Sequence, residues 1–173
     1  MTTNRPKDSH KPRKMRNRYT LLYIIGGFVM MLVLAACNHQ TVYHHYEHTA
    51  VDGWARNDTL SFSVPPVAAT GNYEAQLELR TNERYPFVSL DIVATQTILP
   101  SAQTRCDTIT CQLTDKNGRI LGQGITQYQY SFPLGTLQLT EGDSLHIVVR
   151  HGMKREVLPG ITDVGFQLKK PSH

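Results

Sequence analysis

The chain has 173 residues, with 18 Lys+Arg against 14 Asp+Glu and a formal charge of +4. Seven of the basic residues and one of the acids precede residue 37, so the chain from Cys37 onward carries 11 basic against 13 acidic residues, a charge of −2. With no basic face left to neutralise phosphates, a nucleic-acid partner is excluded. The 136 residues after Cys37 are enough for one domain with a real core and too few for two.

Arg5, Lys7, Lys11, Arg13, Lys14, Arg16 and Arg18 stand against a single acid, Asp8, and no charged residue occurs from Leu21 to Ala36. A basic segment over 1–20 followed by an apolar one over 21–36 has the order of a secretory signal peptide. The apolar run is shorter than the ~20 residues of a comfortable transmembrane helix, and it ends in small residues rather than a basic stop-transfer cluster. Leu34-Ala35-Ala36-Cys37 resembles the lipobox of bacterial lipoproteins. That resemblance implies cleavage between Ala36 and Cys37, a diacylglyceryl thioether on Cys37, and usually a third acyl chain on the new amino terminus. At ~0.8 kcal/mol per buried methylene one acyl chain holds a protein marginally, whereas two or more hold it stably. The competing reading is an uncleaved anchor with an incidental cysteine.

Residues 37–50 are expected to be the lipidated terminus and a tether that becomes ordered toward its end, because Asn38 to Thr49 is polar, rich in His and Tyr, and without periodicity. A β-sandwich domain is expected over 51–173. Leu60, Phe62 and Val64 alternate with polar neighbours up to Pro65-Pro66, and Tyr73, Ala75, Leu77 and Leu79 alternate with Glu74, Gln76, Glu78 and Arg80. Such alternation buries one face of a strand and wets the other. Further strands are predicted near Val88 to Ile98 and through Ile109, Cys111 and Leu113. Asp115-Lys116-Asn117-Gly118 is then a tight turn, since Asn-Gly favours positive φ. Strands follow around Ile120 to Thr126, Tyr128 to Phe132 and Leu137 to Leu139, then through Leu145, Ile147 and Val149 after a turn at Glu141-Gly142-Asp143, and finally from Ile161 to Lys169. In that last strand Thr162, Val164, Phe166 and Leu168 share one face with Asp163 opposite.

No segment after Cys37 has sustained 3.6-residue spacing, and β-branched and aromatic residues dominate the periodic runs. The fold class is therefore all-β: an antiparallel two-sheet sandwich, jelly-roll-like. Cys106 and Cys111 would lie ~16 Å apart and on opposite faces of a regular strand, which favours two free thiols with Cys111 in the core.

The chemistry-bearing residues are few. His39, His44, His45 and His48 offer zinc ligands but, on a tether, no fixed tetrahedral geometry, so no metal is expected. Trp54 is either a sugar-stacking platform or a plug closing the sandwich edge, and packing is the default. Neither a Ser-His-Asp order, a pair of close carboxylates, nor a phosphate-cradling glycine loop is present, so no catalytic residue, cofactor or small-molecule substrate is expected. The segment between the last two strands gathers His151, Met153, Lys154, Arg155 and Glu156 at one end of the sandwich, where loops on a rigid scaffold commonly bind partners. Together with Asp163, which if buried needs a hydrogen-bonding partner such as Arg155, these form the candidate partner-binding group.

Asp52-Gly53-Trp54 leading to Asp58, Arg84-Tyr85-Pro86-Phe87, the Asp115 to Gly118 turn with Leu121-Gly122 after it, His151-Gly152-Met153-Lys154-Arg155, and above all Leu158-Pro159-Gly160-Ile161-Thr162-Asp163-Val164-Gly165-Phe166 resemble, in this order, the gliding motility-associated lipoprotein GldH family of Bacteroidota. Gly152 stands where the family pattern has Ala, and the Cys106/Cys111 pair is outside it. The resemblance implies a non-enzymatic lipoprotein of the cell envelope, bound to a membrane through acylated Cys37 and working with other motility and type IX secretion proteins. Asn38 to Thr41 contain no acidic surface-export run, so the domain is expected to face the periplasm. A carbohydrate-binding jelly-roll lipoprotein is the alternative.

Overall fold

The computed structural model describes Tyr23 and residues 41–171. The leader over 1–36, apart from Tyr23, and with it the Ala36–Cys37 junction, lies outside the described residues. Ten strands account for most of the domain: β1 Thr41–His48, β2 Trp54–Ala55, β3 Leu60–Val64, β4 Gly71–Asn82, β5 Ser89–Leu99, β6 Gln103–Gln112, β7 Gln127–Leu139, β8 Ser144–His151, β9 Val157–Leu158 and β10 Ile161–Lys169. They form two four-stranded antiparallel sheets in the orders β1-β10-β4-β7 and β3-β8-β5-β6, with β2 and β9 as a short third pair. The expected all-β sandwich is what the chain forms.

The alternation in the sequence sets which side of each strand faces the core. Tyr73, Ala75, Leu77 and Leu79 of β4, Val164, Phe166 and Leu168 of β10, Leu90, Ile92 and Ala94 of β5 and Leu145, Ile147 and Val149 of β8 are all buried in one cluster. Phe62 and Phe166 meet across the sheets with ring centroids 6.0 Å apart. Asp163 is on the outer face as expected, but Ile161 rather than Thr162 is buried with the core, because the β10–β4 register shifts between Ile161 and Asp163.

Three expectations are corrected. The tether is shorter than 37–50, since Thr41–His48 is the edge strand β1, paired along β10. Its inward side chains are Tyr43, packed on Phe166, and His45, set edge-on to Phe62, so the strand has period two without aliphatic residues to display it. The predicted strand over Ile120 to Thr126 is a loop holding only two isolated bridges, Thr114 to Ile120 and Gln123 to Gln129. Gly122 lies against the Tyr130 ring, where a Cβ would come within 2.6 Å, and Ile125 is 88% exposed, so the segment caps Tyr130 instead of extending a ladder. The turn before it forms, with Gly118 at φ 77° and its N–H donating to Asp115 O. The two strands expected on either side of Pro133 are one strand, β7; it is an edge strand, where a missing N–H is tolerated.

Candidate functional site

The His151–Asp163 group does not assemble as a unit. His151 ends β8 with 0% exposure, its ring edge-on to Trp54 at 5.3 Å and both ring nitrogens buried, so it is core rather than a presented residue. Burial, with a smaller push from Arg56, holds its pKa below the usual histidine value. Met153 is half-buried against the core, with its sulfur accepting the Asp91 N–H at 3.5 Å. Lys154, Arg155 and Glu156 are the exposed members of the group, at the loop tip. Asp163 is partnered not by Arg155 but by His48 of β1, an element that reads as tether in the sequence. Trp54 is buried and donates its Nε1–H to Asp58 O at 3.0 Å, which makes it the plug and not a stacking platform.

What the fold brings together instead is the outer face of the β1-β10-β4-β7 sheet. His44, Tyr46 and His48 on β1 stand opposite Gln167, Gly165 and Asp163 on β10, which stand opposite Gln76, Glu78 and Arg80 on β4. Gly165 has no side chain, and the Tyr46 ring lies over it: a Cβ there would sit 2.6 Å from the ring. This lets Tyr46 reach across β10 to donate its hydroxyl to Glu78, which also pairs with His44 Nε2 at 2.8 Å. Burial, then the hydrogen bond to Glu78, raise the Tyr46 pKa well above the ordinary phenol value. The Arg80 guanidinium covers the same ring at 3.9 Å from its centroid, a cation–π contact.

Two carboxylates are thus nearly buried on a sheet face turned away from the core, Glu78 at 6% and Asp163 at 5% exposure. Burying a carboxylate is costly unless hydrogen bonds replace its water. Glu78 has them. Asp163 has only His48 Nδ1, 2.5 Å from Oδ1, in a contact that lacks hydrogen-bonding alignment, and Oδ1 accepts no hydrogen bond. Beside it, at the end of the sheet, a cleft of about 520 Å³ is bounded by His48–Val51, Arg80, Asn82, Arg84, Gln127 and Gly160–Asp163.

Among the described residues no group of three or more His, Cys, Asp or Glu is placed to hold a metal ion. His44, His45 and His48 are divided among Glu78, Glu47 and Asp163, and His39 is outside the described residues. Cys106 is exposed on the outer face of the other sheet, whereas Cys111 is in the core, both free. Burial, with a smaller contribution from Asp91, pushes the Cys111 thiol up to about 12, which keeps it protonated and inert.

The family model for the GldH lipoprotein matches residues 41–168, from the first residue of β1 to the end of the core-forming part of β10. The chain belongs to the GldH lipoprotein family. It is 31% identical over 147 residues to the gliding motility lipoprotein GldH of Flavobacterium johnsoniae, covering 80% of this chain and 91% of the relative. A GldH homolog of Christiangramia forsetii is 23% identical over 165 residues, covering 90% and 98%. Among solved structures, a family GH115 4-O-methyl-α-glucuronidase superposes with a TM-score of 0.41 and 12% identity over 79% of this chain and 18% of that one. A protein from Sulfurospirillum deleyianum gives 0.38 and 8% over 76% and 99%. At these scores neither bears on function. As a GldH family member the chain is placed among the gliding-motility lipoproteins, and the family match begins at the first residue of β1.

Proposed function

We propose that this lipoprotein is an accessory component of an envelope motility and secretion machine, non-enzymatic, acting by protein contact from a lipid anchor on Cys37 and facing the periplasm. The observation that carries the proposal is the family match over the whole sandwich. Support comes also from the short link between anchor and fold. β1 begins four residues after Cys37, so Thr41 can stand at most ~14 Å from the lipidated residue. The anchor then pulls directly on an edge strand rather than through a long tether.

The surface best suited to a partner is the outer face of the β1-β10-β4-β7 sheet. It has fixed, buried charge rather than a mobile solvated fringe, and rigid polar groups give specificity more than raw affinity. Lys154 and Arg155 on the loop after β8 are a secondary contact.

The test is affinity purification of a tagged, lipidated copy from crosslinked cells. Co-purifying envelope motility or secretion proteins are expected; their absence, with the bait intact and in the membrane fraction, contradicts the proposal. Cys37→Ser is expected to move the domain out of the lipidated membrane pool and abolish function. Protease treatment of intact cells that removes the domain would contradict the periplasmic orientation.

A further inference from the structure

The cleft at the end of the β1-β10-β4-β7 sheet has a charge arrangement that protein contact alone does not require. It crosses the ends of all four strands, from His48 on β1 past Asp163 on β10 and Arg80 on β4 to Gln127 on β7. Three inter-strand spacings make that a trough of ~14 Å. Arg80 and Asp163 are directly opposite in register, a position in which an arginine and an aspartate would ordinarily pair. They do not, because Arg80 is drawn onto the Tyr46 ring. Stacked in this way, and in contact with the Tyr46 hydroxyl, a guanidinium still has N–H groups left to face a planar anion. Arg84, exposed at the rim, is the second cation, and like Arg80 it has no carboxylate within 4 Å among the described residues. Across from them, the Asp163 side chain is only 7% exposed, with an oxygen that accepts no aligned hydrogen bond. Its one ionisable side-chain neighbour within 4 Å among the described residues is the imidazole of His48, whose own side chain is 85% exposed and free to swing outward.

We propose that this trough binds an amino-acid head group, an ammonium and a carboxylate borne on one carbon. The carboxylate lies against the N–H edges of Arg80 and Arg84, and the ammonium displaces His48 to donate to Asp163. Both arginines and the buried acid then find a partner in one ligand, and Thr162, Asn82 and Gln127 supply neutral hydrogen-bonding groups around it. A volume of about 520 Å³ is within the ~300–1,000 Å³ of small-molecule sites. The head group has two sources, a free amino acid or an amino acid joined to a larger molecule through its side chain. This site is independent of the partner proteins named above, so failure of one proposal leaves the other standing.

Ligand-detected NMR on the full-length chain in detergent tests it, with alanine, propionate, ethylamine, inorganic phosphate and Nε-acetyl-lysine as probes. Alanine or Nε-acetyl-lysine is expected to bind about tenfold or more tightly than propionate or ethylamine, because each of the latter lacks one of the two charges. Response to Nε-acetyl-lysine alone identifies a tethered head group, and response to alanine a free one. Arg84→Gln, an exposed rim substitution that does not threaten folding, should abolish binding. Asp163→Asn should reduce alanine to the level of propionate, and His48→Ala should preserve or tighten binding. Equal binding of alanine and propionate, tighter binding of phosphate than of alanine, or no response from alanine and Nε-acetyl-lysine up to about 10 mM would overturn the assignment.

Discussion

The two sheets of the sandwich treat their outer faces in opposite ways. On the β3-β8-β5-β6 sheet the outward residues form short, exposed pairs: Thr110 donates to Asp91 at 2.7 Å, Thr97 meets Thr104 at 3.2 Å, and Ser63 meets His146 at 3.5 Å. Each such pair does no more than satisfy its own hydroxyl beside water. On the β1-β10-β4-β7 sheet the outward residues are long, reach across whole strands, and bury Glu78 and Asp163. A face that only has to be wet needs nothing beyond threonines. A face that withdraws carboxylates from water is costly to build, which is why the proposed partner surface is assigned to it.

Perturbing the two faces should therefore have unequal effects. Gly165→Val would drive a side chain into the Tyr46 ring and should destabilise the fold by about 3 kcal/mol, the upper range for overpacking; chemical denaturation reads it. Glu78→Ala should cost about 2 kcal/mol, since it leaves the Tyr46 hydroxyl and His44 without their shared acceptor. Thr97→Ala on the other face should stay within about 0.5 kcal/mol. A Thr97 effect as large as that of Glu78 would erase the distinction between the faces.

One source of acid sensitivity lies in the core. His151 is buried with its pKa held below the unfolded value of 6.5, so the unfolded chain takes up a proton more readily than the folded one. This contribution to stability is complete above the unfolded value and is lost as pH falls below it. Melting temperature should decline between pH 7 and pH 5, and His151→Gln should make the decline shallower.

Sequence pattern discloses the sandwich because most of its strands alternate aliphatic and polar residues, as β4 does without exception from Ala75 to Arg80. β1 is hidden because its inward residues are Tyr43 and His45, which an apolar count does not register. The loop over Ile120 to Thr126 looks like a strand because alternation alone does not show that Gly122 must lie flat on Tyr130. The proposed partner face is illegible for a related reason. Arg80, Glu78, Asp163 and Tyr46 are scattered over more than a hundred positions and converge only when β10 is placed between β1 and β4. Asp163 stands out in the sequence as a carboxylate needing a partner, but His48 can be named only once β1 is known to be a strand. The family signature, by contrast, is carried by contiguous segments and needs no fold.

The most direct test of the central claim is site-specific photo-crosslinking in cells, comparing a probe at Ser131, exposed on the outer face of β7, with one at Thr108, outward on β6. Crosslinks to envelope motility or secretion proteins from position 131 and not from position 108 are the predicted result. Equal labelling from both positions, or labelling from position 108 alone, would contradict the account.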